Sequence, residues 1–295
     1  MKVSTYMLLM NMIALDQVSN RKYWTDNIDP IAIHYFRNVG LHWYGLMYVF
    51  AGLTIWLLCH WWVRQGRLPI ASDQVAKLVF GYAGIGGVAG ARLGYCLLYD
   101  FDRFCHHPWE VFAVWQGGMA SYGAIAGMLV AAMLFNRRRN LDPWPFLDAG
   151  AVACAIAIFF VRIGNFLNGE LWGRPATVPW AVIFPRAPLV DGMEVPRHPS
   201  QLYAAGLEGL LVFLIAGWAF RRIRSRSGFT FGVALMVYAI GRFADEFCHD
   251  PGPGHALLWG WMSQAQLFTL PILTAGVVLA CWRGSAAGHA GDKPL

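Results

Sequence analysis

The chain has 295 residues, of which 14% are Asp, Glu, Lys or Arg and 57% are hydrophobic, with a mean hydropathy of +0.43. A soluble globular domain carries about 25% charged residues, so these residues cannot wet the surface of a compact soluble body, and soluble classes are excluded. The formal charge of +6 sits in short basic clusters between apolar runs, with no basic stretch interleaved with stacking aromatics; this excludes nucleic acid as partner and marks topology instead.

Residues 1–27 read as an N-terminal extension. Its apolar run Tyr6–Leu15 is too short to span a bilayer and is read as an interfacial helix or a tail. Apolar runs of about 20 residues, the length that crosses the hydrocarbon as a helix, follow at 41–62, 76–99, 110–135, 146–167, 199–220, 228–247 and 263–282. They are too long and too uniformly apolar for a transmembrane barrel, whose strands alternate over about 10 residues. The expected fold class is all-α, a polytopic membrane protein of about seven transmembrane helices occupying residues 28–283.

Orientation follows from Lys and Arg, which stay on the cytoplasmic side of short loops. The first loop carries Arg64 and Arg67 with Lys77 at its end, the third Arg137, Arg138 and Arg139, and the fifth Arg221, Arg222, Arg224 and Arg226. The second carries only Arg103 and the sixth none. The N-terminus is therefore expected outside and the C-terminus inside. Residues 168–198 then form a long outer loop rich in Gly, Pro and Trp, and loops of that length are usually functional. Residues 284–295 read as a flexible cytoplasmic tail.

Gly86, Gly90 and Gly94 recur every four residues in the second run, and Gly123 and Gly127 in the third, the spacing that lets helix backbones approach closely. Six cysteines form no CxxC pair, and no His stands at zinc-ligand spacing, so no metal site is expected. Cys105 and Cys248 fall on the outer side of this topology, where two thiols can pair. Serine-protease, zinc-hydrolase and Asp-rich metal motifs are absent from the sequence.

Three arginines, Arg92, Arg162 and Arg242, lie inside the runs, each five to seven residues before the outer end. At 1.5 Å per residue this is on the order of 8–10 Å below the outer boundary. A charge at that depth costs a few kcal/mol or more and faces a partner or a wet cavity. One reading is internal ion pairing, with Asp245 and Glu246 near Arg242 or with Glu208 in the fifth run. The other is a guanidinium layer for a lipid phosphate, which guanidinium matches bidentately. Three arginines at one depth favour the second. Further polar residues join the layer: His42 and Tyr44 open the first run, while His198, Ser200, Gln201 and Tyr203 open the fifth. Asn165, Asn168 and Glu170 follow Arg162, and Tyr238 precedes Arg242 by four residues, on one helical face. Together they describe a polar cavity open to the outer leaflet.

The segment RIGNFLNGELWG at Arg162–Gly173 closely resembles the signature of the bacterial prolipoprotein diacylglyceryl transferase family. The resemblance extends to GLHWYGLMY at 40–48, ARLGYCLLYD at 91–100, GGM at 117–119, RHPSQLY at 197–203, and Tyr238 with GRFADEF at 241–247, in the family's order. It implies a multi-pass enzyme of the bacterial inner membrane without a cofactor. Such an enzyme moves a diacylglyceryl group from phosphatidylglycerol to the lipobox cysteine thiol of a preprolipoprotein, forming a thioether and releasing glycerol 1-phosphate. The partners implied are phosphatidylglycerol, the lipobox peptide and membrane lipids.

By the same resemblance, Arg162 and Arg242 match essential arginines expected to hold the donor phosphate. Asn165 and Gly173 match signature positions and Tyr238 a functionally important tyrosine, while Tyr44, His198 and Glu170 fall on motif positions. The chain departs from the pattern after GGM. Many members place a histidine, a candidate base, where this sequence has Tyr122 in GGMASYGA. A phenol of pKa about 10 is a poor base near neutrality. Either Tyr122 orients a substrate and another group takes the thiol proton, or the chain is a diverged paralogue of weakened or altered activity. The candidate proton acceptors at this stage are His42, His198 and Tyr122, and an enzyme using the few per cent of thiolate present at pH 7 needs no dedicated base. Arg92 is assigned as a helper to Arg162 and Arg242. The alternative function class is a lipid-binding or lipid-translocating membrane protein without transferase activity.

Overall fold

The computed structural model describes residues 23–36, 39–223, 227–250, 258 and 260–285. The Tyr6–Leu15 run and residues 286–295 of the tail lie outside the described residues.

A helix stands at each of the apolar runs. α1 is Trp43–Arg64; α2, Gln74–Ala76, passes through a π-type stretch, Lys77–Gly84, into α3, Ile85–Leu98. The short α4, Phe101–His106, precedes α5, Ser121–Arg137, and α6, Trp144–Leu167. α7, Ser200–Ala204, passes through a second π-type stretch, Ala205–Leu210, into α8, Leu211–Arg222. α9 is Phe229–Asp245 and α10 is Gln264–Ser285, so Gly284 and Ser285 are helical rather than tail. Among the described residues, four helices are long and apolar enough to cross a membrane: Trp43–Arg64, Trp144–Leu167, Ser200–Arg222 and Gln264–Ser285. The molecule is a helical membrane protein.

The third run differs from its expectation of 110–135. Its helix begins at Ser121, because two tight 3-10 turns at Pro108–Phe112 and Val114–Gln116 are followed by Gly117 and Gly118 at φ of 82° and 73°. A left-handed pair of residues cannot continue a right-handed helix. Short strands amend the all-α expectation. β1, Trp24–Thr25, runs parallel to β4, Val182–Ile183, which pairs antiparallel with β5, Pro196–Arg197. β2, Ile31–Phe36, and β3, Val39–His42, form a hairpin in which Ile31 faces His42.

The chain divides into two compact units. One comprises residues 52–153, 218–231 and 279–295. Its centre is the α3–α5 contact, and the four-residue glycine spacing is the cause. A Cβ added at Gly90 would lie 2.8 Å from the Gly127 Cα, and one at Gly94 would lie 2.8 Å from the Gly123 Cα. The backbones therefore touch where side chains would otherwise hold them apart. Arg92, on α3, is 4% exposed and spends its guanidinium on neutral acceptors, donating to the carbonyls of Glu110, Val111, Gly117 and Gly118. Its guanidinium carbon also sits 5.1 Å from the Phe104 ring centre. In the same unit the buried Asp148 carboxylate accepts the Gly228 and Phe231 amides at 2.7 Å each, capping the start of α9 from another helix. A loop arginine serves a helix end: Arg67 donates to the Phe220 and Arg221 carbonyls of the last turn of α8.

The other unit comprises residues 1–51, 154–217 and 232–278, and contains the three-stranded sheet and the signature segment. Here residues 168–198 are not an open loop. Arg197, 3% exposed, donates to the carbonyls of Gly173 and Pro188 and to the Asp250 carboxylate at 2.8 Å. Ser200 and Gln201, at the start of α7, donate to the Leu171 and Glu170 carbonyls. A buried cation that satisfies carbonyls from separate turns holds the segment in one conformation.

Candidate active site

Two close helix approaches assemble the charged centre. A Cβ at Gly209 would lie 2.7 Å from the Phe159 backbone, so the π-type stretch of residues 205–210 presses on α6 one turn before Arg162. A Cβ at Gly241 would lie 2.9 Å from the Leu207 carbonyl, bringing α9 against the same stretch next to Arg242. Glu208 lies between these two contacts. Its Oε2 accepts from Arg162 Nη2 at 3.1 Å and its Oε1 pairs with Arg242 Nη1 at 3.3 Å. Arg242 also pairs with Asp245 at 3.3 Å and with Glu246 at 2.6 Å, from the following turn of its own chain segment.

The cluster is layered. The side chains of Glu208, Asp245 and Glu246 are 1%, 1% and 4% exposed, whereas those of Arg162 and Arg242 are 21% and 17% exposed. Carboxylates form the floor and guanidiniums the open face. A buried ion pair costs desolvation that its Coulomb attraction only partly repays, so this arrangement gains its value from holding two cations in place. Five N–H groups on each guanidinium exceed what the carboxylates take up, and the remainder can bind a phosphate. Of the two readings made from the sequence, the ion pairs of Arg162 and Arg242 are present, and both guanidiniums keep a partly exposed face.

The signature residues lie in the same unit as this centre. Asn165, 4% exposed, donates to the Glu170 carboxylate at 2.8 Å. Gly164, between Arg162 and Asn165, leaves room for Tyr44, whose ring a Cβ there would approach to 3.0 Å. The Tyr44 and Tyr48 hydroxyls are 3.1 Å apart. Tyr238 acts electrostatically on Arg242 from the preceding turn of α9. Gly173 is where three segments meet: its amide donates to the His198 carbonyl, it bridges antiparallel to His249, and a Cβ would lie 2.5 Å from the Cys248 carbonyl. Any side chain at 173 would force that seam apart. His198 Nδ1 lies 3.2 Å from the Tyr203 hydroxyl, which accepts from the Trp180 indole at 2.6 Å. Burial holds the His198 imidazole below its ordinary range, favouring the neutral ring.

Other expected residues stand apart. His42 closes β3 and is exposed. Arg92 belongs to the other unit, where carbonyls hold its guanidinium. Tyr122 lies in the first turn of α5, and its side chain falls outside the described residues. Cys105 and Cys248 are free thiols, as are the other four cysteines, and burial pushes the Cys248 thiol up. Residues that the sequence reading passed over are Gly209 and His249; Gly241 entered only as the first residue of a family string. The two glycines carried a signal, since each adjoins a charged residue inside an apolar run.

The family model described as prolipoprotein diacylglyceryl transferase matches residues 30–282. A phosphatidylglycerol–prolipoprotein diacylglyceryl transferase of Methylococcus capsulatus is 42% identical over 254 residues, covering 85% of this chain and 94% of that protein. Proteins of the same name from Legionella pneumophila and Pseudomonas putida are 39% and 38% identical, covering 86% of this chain and 96% and 94% of theirs. The matched residues include the signature helix, the Gly173 seam and α9, and this chain belongs to the prolipoprotein diacylglyceryl transferase family.

Proposed function

We propose that the chain transfers the diacylglyceryl group of phosphatidylglycerol to the cysteine thiol of a preprolipoprotein lipobox, forming a thioether and releasing glycerol 1-phosphate. The observation that carries this reading is the pair of partly exposed guanidiniums, Arg162 and Arg242, seated on the buried carboxylate of Glu208. The reaction is a displacement at a glycerol carbon. The C–O bond to phosphate breaks, the C–S bond forms, and the thiol proton leaves. Negative charge grows on the departing phosphate, and cations already fixed in a low-dielectric site stabilise it without reorganising.

In this reading Arg162 and Arg242 bind the donor phosphate, with Tyr238 beside Arg242. Asn165, Glu170 and Tyr44 line the approach, and Gly173 and His198 border it. His42 stands at the rim, and Arg92 holds the segment before α5, where Tyr122 lies. The chain crosses the inner membrane of a bacterium seven times, N-terminus in the periplasm, so the secreted acceptor reaches the site from outside. Loop charge supports that orientation, and the helices longest in apolar residues support the spanning. The test is direct: purified protein in lipid nanodiscs containing phosphatidylglycerol, given a synthetic lipobox peptide, is expected to yield a peptide heavier by one diacylglyceryl group on sulfur. Lipid binding with no adduct would leave the lipid-binding class in its place.

A further inference from the structure

Four of the seven described histidines lie in the unit that carries Arg162 and Arg242, and their surroundings separate them as acceptors for the proton of the acceptor thiol. His34 pairs with Asp29 at 2.9 Å in an exposed hairpin, and His42 is exposed at the end of the same hairpin. His198 engages Tyr203 through Nδ1. His249 differs. Its backbone is fixed on three sides: its amide donates to the Asp245 carbonyl at 3.1 Å, its carbonyl accepts from Arg174 Nε at 2.9 Å, and it bridges antiparallel to Gly173. Its ring is half-buried, and among the described residues it makes no hydrogen bond. The imidazole lies in electrostatic range of Arg242 and Glu246 on its own segment, of Arg162 on α6 and of Glu208 in the π-type stretch.

The geometry points to His249 as the group that takes the proton from the acceptor thiol, a step that deepens the transferase reading and rests on it. The position is fixed by Gly173, whose missing side chain lets residues 171–175 close against 196–198 and 248–250. This places His249 in electrostatic range of the two arginines proposed to hold the phosphate and of the Glu208 and Glu246 carboxylates paired with them. The thiol S–H gives its proton to the free ring nitrogen, the sulfur electron pair forms the C–S bond, and the C–O bond pair departs on phosphate. The imidazolium so formed is balanced by the Glu246 and Glu208 carboxylates.

Burial and the charges of Arg242 and Arg162 hold the ring below its ordinary range, whereas Glu246 and Glu208 oppose them; the lowering prevails, so the ring is neutral and able to accept at pH 7. Arg174 donates to the His249 carbonyl and Arg197 pairs with the adjacent Asp250, so neither guanidinium is directed to the ring by these contacts. This supplies in the chain's own residues a base that a phenol at 122 does not provide.

The experiment uses the full-length protein in phosphatidylglycerol nanodiscs with a lipobox peptide, following adduct by mass spectrometry from acid to alkaline pH. The wild type is expected to show kcat/KM rising with pH through an acid limb with a midpoint below the ordinary histidine value. His249→Gln is expected to lower kcat by about 100-fold or more, the scale of lost general-base catalysis. Its acid limb should vanish, and its rate should climb toward the thiol pKa of about 8.5 as thiolate forms without help. Phosphatidylglycerol binding should be unchanged, and added imidazole should restore part of the rate of His249→Ala. A His249→Gln protein that keeps its rate within about threefold and keeps the acid limb overturns the assignment. So does a loss accompanied by weakened lipid binding and not rescued by imidazole. A wild type that yields no adduct at any pH overturns the transferase reading itself.

Discussion

Arg92 and the Arg162–Arg242 pair are the same kind of residue in the same kind of apolar helix, yet the two regions use them oppositely. Arg92 meets backbone carbonyls from residues 110 to 118 and is 4% exposed; among the described residues it forms no ion pair. Arg162 and Arg242 meet carboxylates, share Glu208, and stay partly open. A guanidinium surrounded by carbonyls is a clamp, since neutral dipoles take up its donors without asking for a ligand. One seated on carboxylates that lie beneath it is a platform. An arginine inside a span therefore signals function only when its partners are known.

The largest test of this contrast is Arg242→Ala. It removes a cation that Glu208, Asp245 and Glu246 share, and breaking a buried pair by deleting one partner costs about 3–5 kcal/mol. Turnover is expected to fall by about 100-fold or more, the scale for loss of a preorganised donor to a developing anion. Thermal unfolding in nanodiscs and the adduct assay measure the two effects separately. Next comes Gly209→Ala, which adds a methyl group where the Phe159 backbone lies 2.7 Å away. Overpacking costs about 1–3 kcal/mol, and displacing Glu208 by a fraction of an ångström to an ångström is expected to lower kcat by up to about 100-fold. Normal turnover there would show that the carboxylate does not set the arginine positions.

Arg92→Met sharpens the contrast from the other side. Leaving buried carbonyls unpaired costs about 1–3 kcal/mol, so the melting point should drop, whereas the rate per folded molecule should fall by less than about tenfold. A loss of rate as large as that of Arg242→Ala, with little loss of stability, would turn the clamp into a platform. The smallest effect concerns pH. His198 binds a proton less readily folded than unfolded, so its contribution to stability is complete above the ordinary histidine value and is lost as pH falls through it. The melting point of the wild type should therefore decline between pH 7.5 and about 5.5 more steeply than that of His198→Gln, because only the wild type gains that proton on unfolding.

Much of this was legible in residue order. The positions of the helices follow from long apolar runs that carry few charges, and the α3–α5 contact follows from glycines four apart. The pairing partners Glu208, Asp245 and Glu246 are also visible as acids inside the apolar runs. The late start of α5 was not, because it depends on two glycines at positive φ and on a clamp from a residue far earlier in the chain. Nor was the division of labour among the arginines, since carbonyl partners leave no mark on a sequence. His249 was hidden for a related reason: it lies just past its apolar run, and two of its charged neighbours, Arg162 and Glu208, come from other segments of the chain.

The bridging mode of Glu208 has a further consequence. Each of its two oxygens holds a different arginine, so the spacing of the two guanidiniums is set by the width of one carboxylate rather than by the helices that carry them. The gauge is a side chain, and it is indifferent to small drifts of α6 and α9 in a bilayer of changing thickness. Aspartate at 208 keeps the charge but shortens the arm, so it can reach one arginine only by releasing the other, and the pair becomes two independent cations.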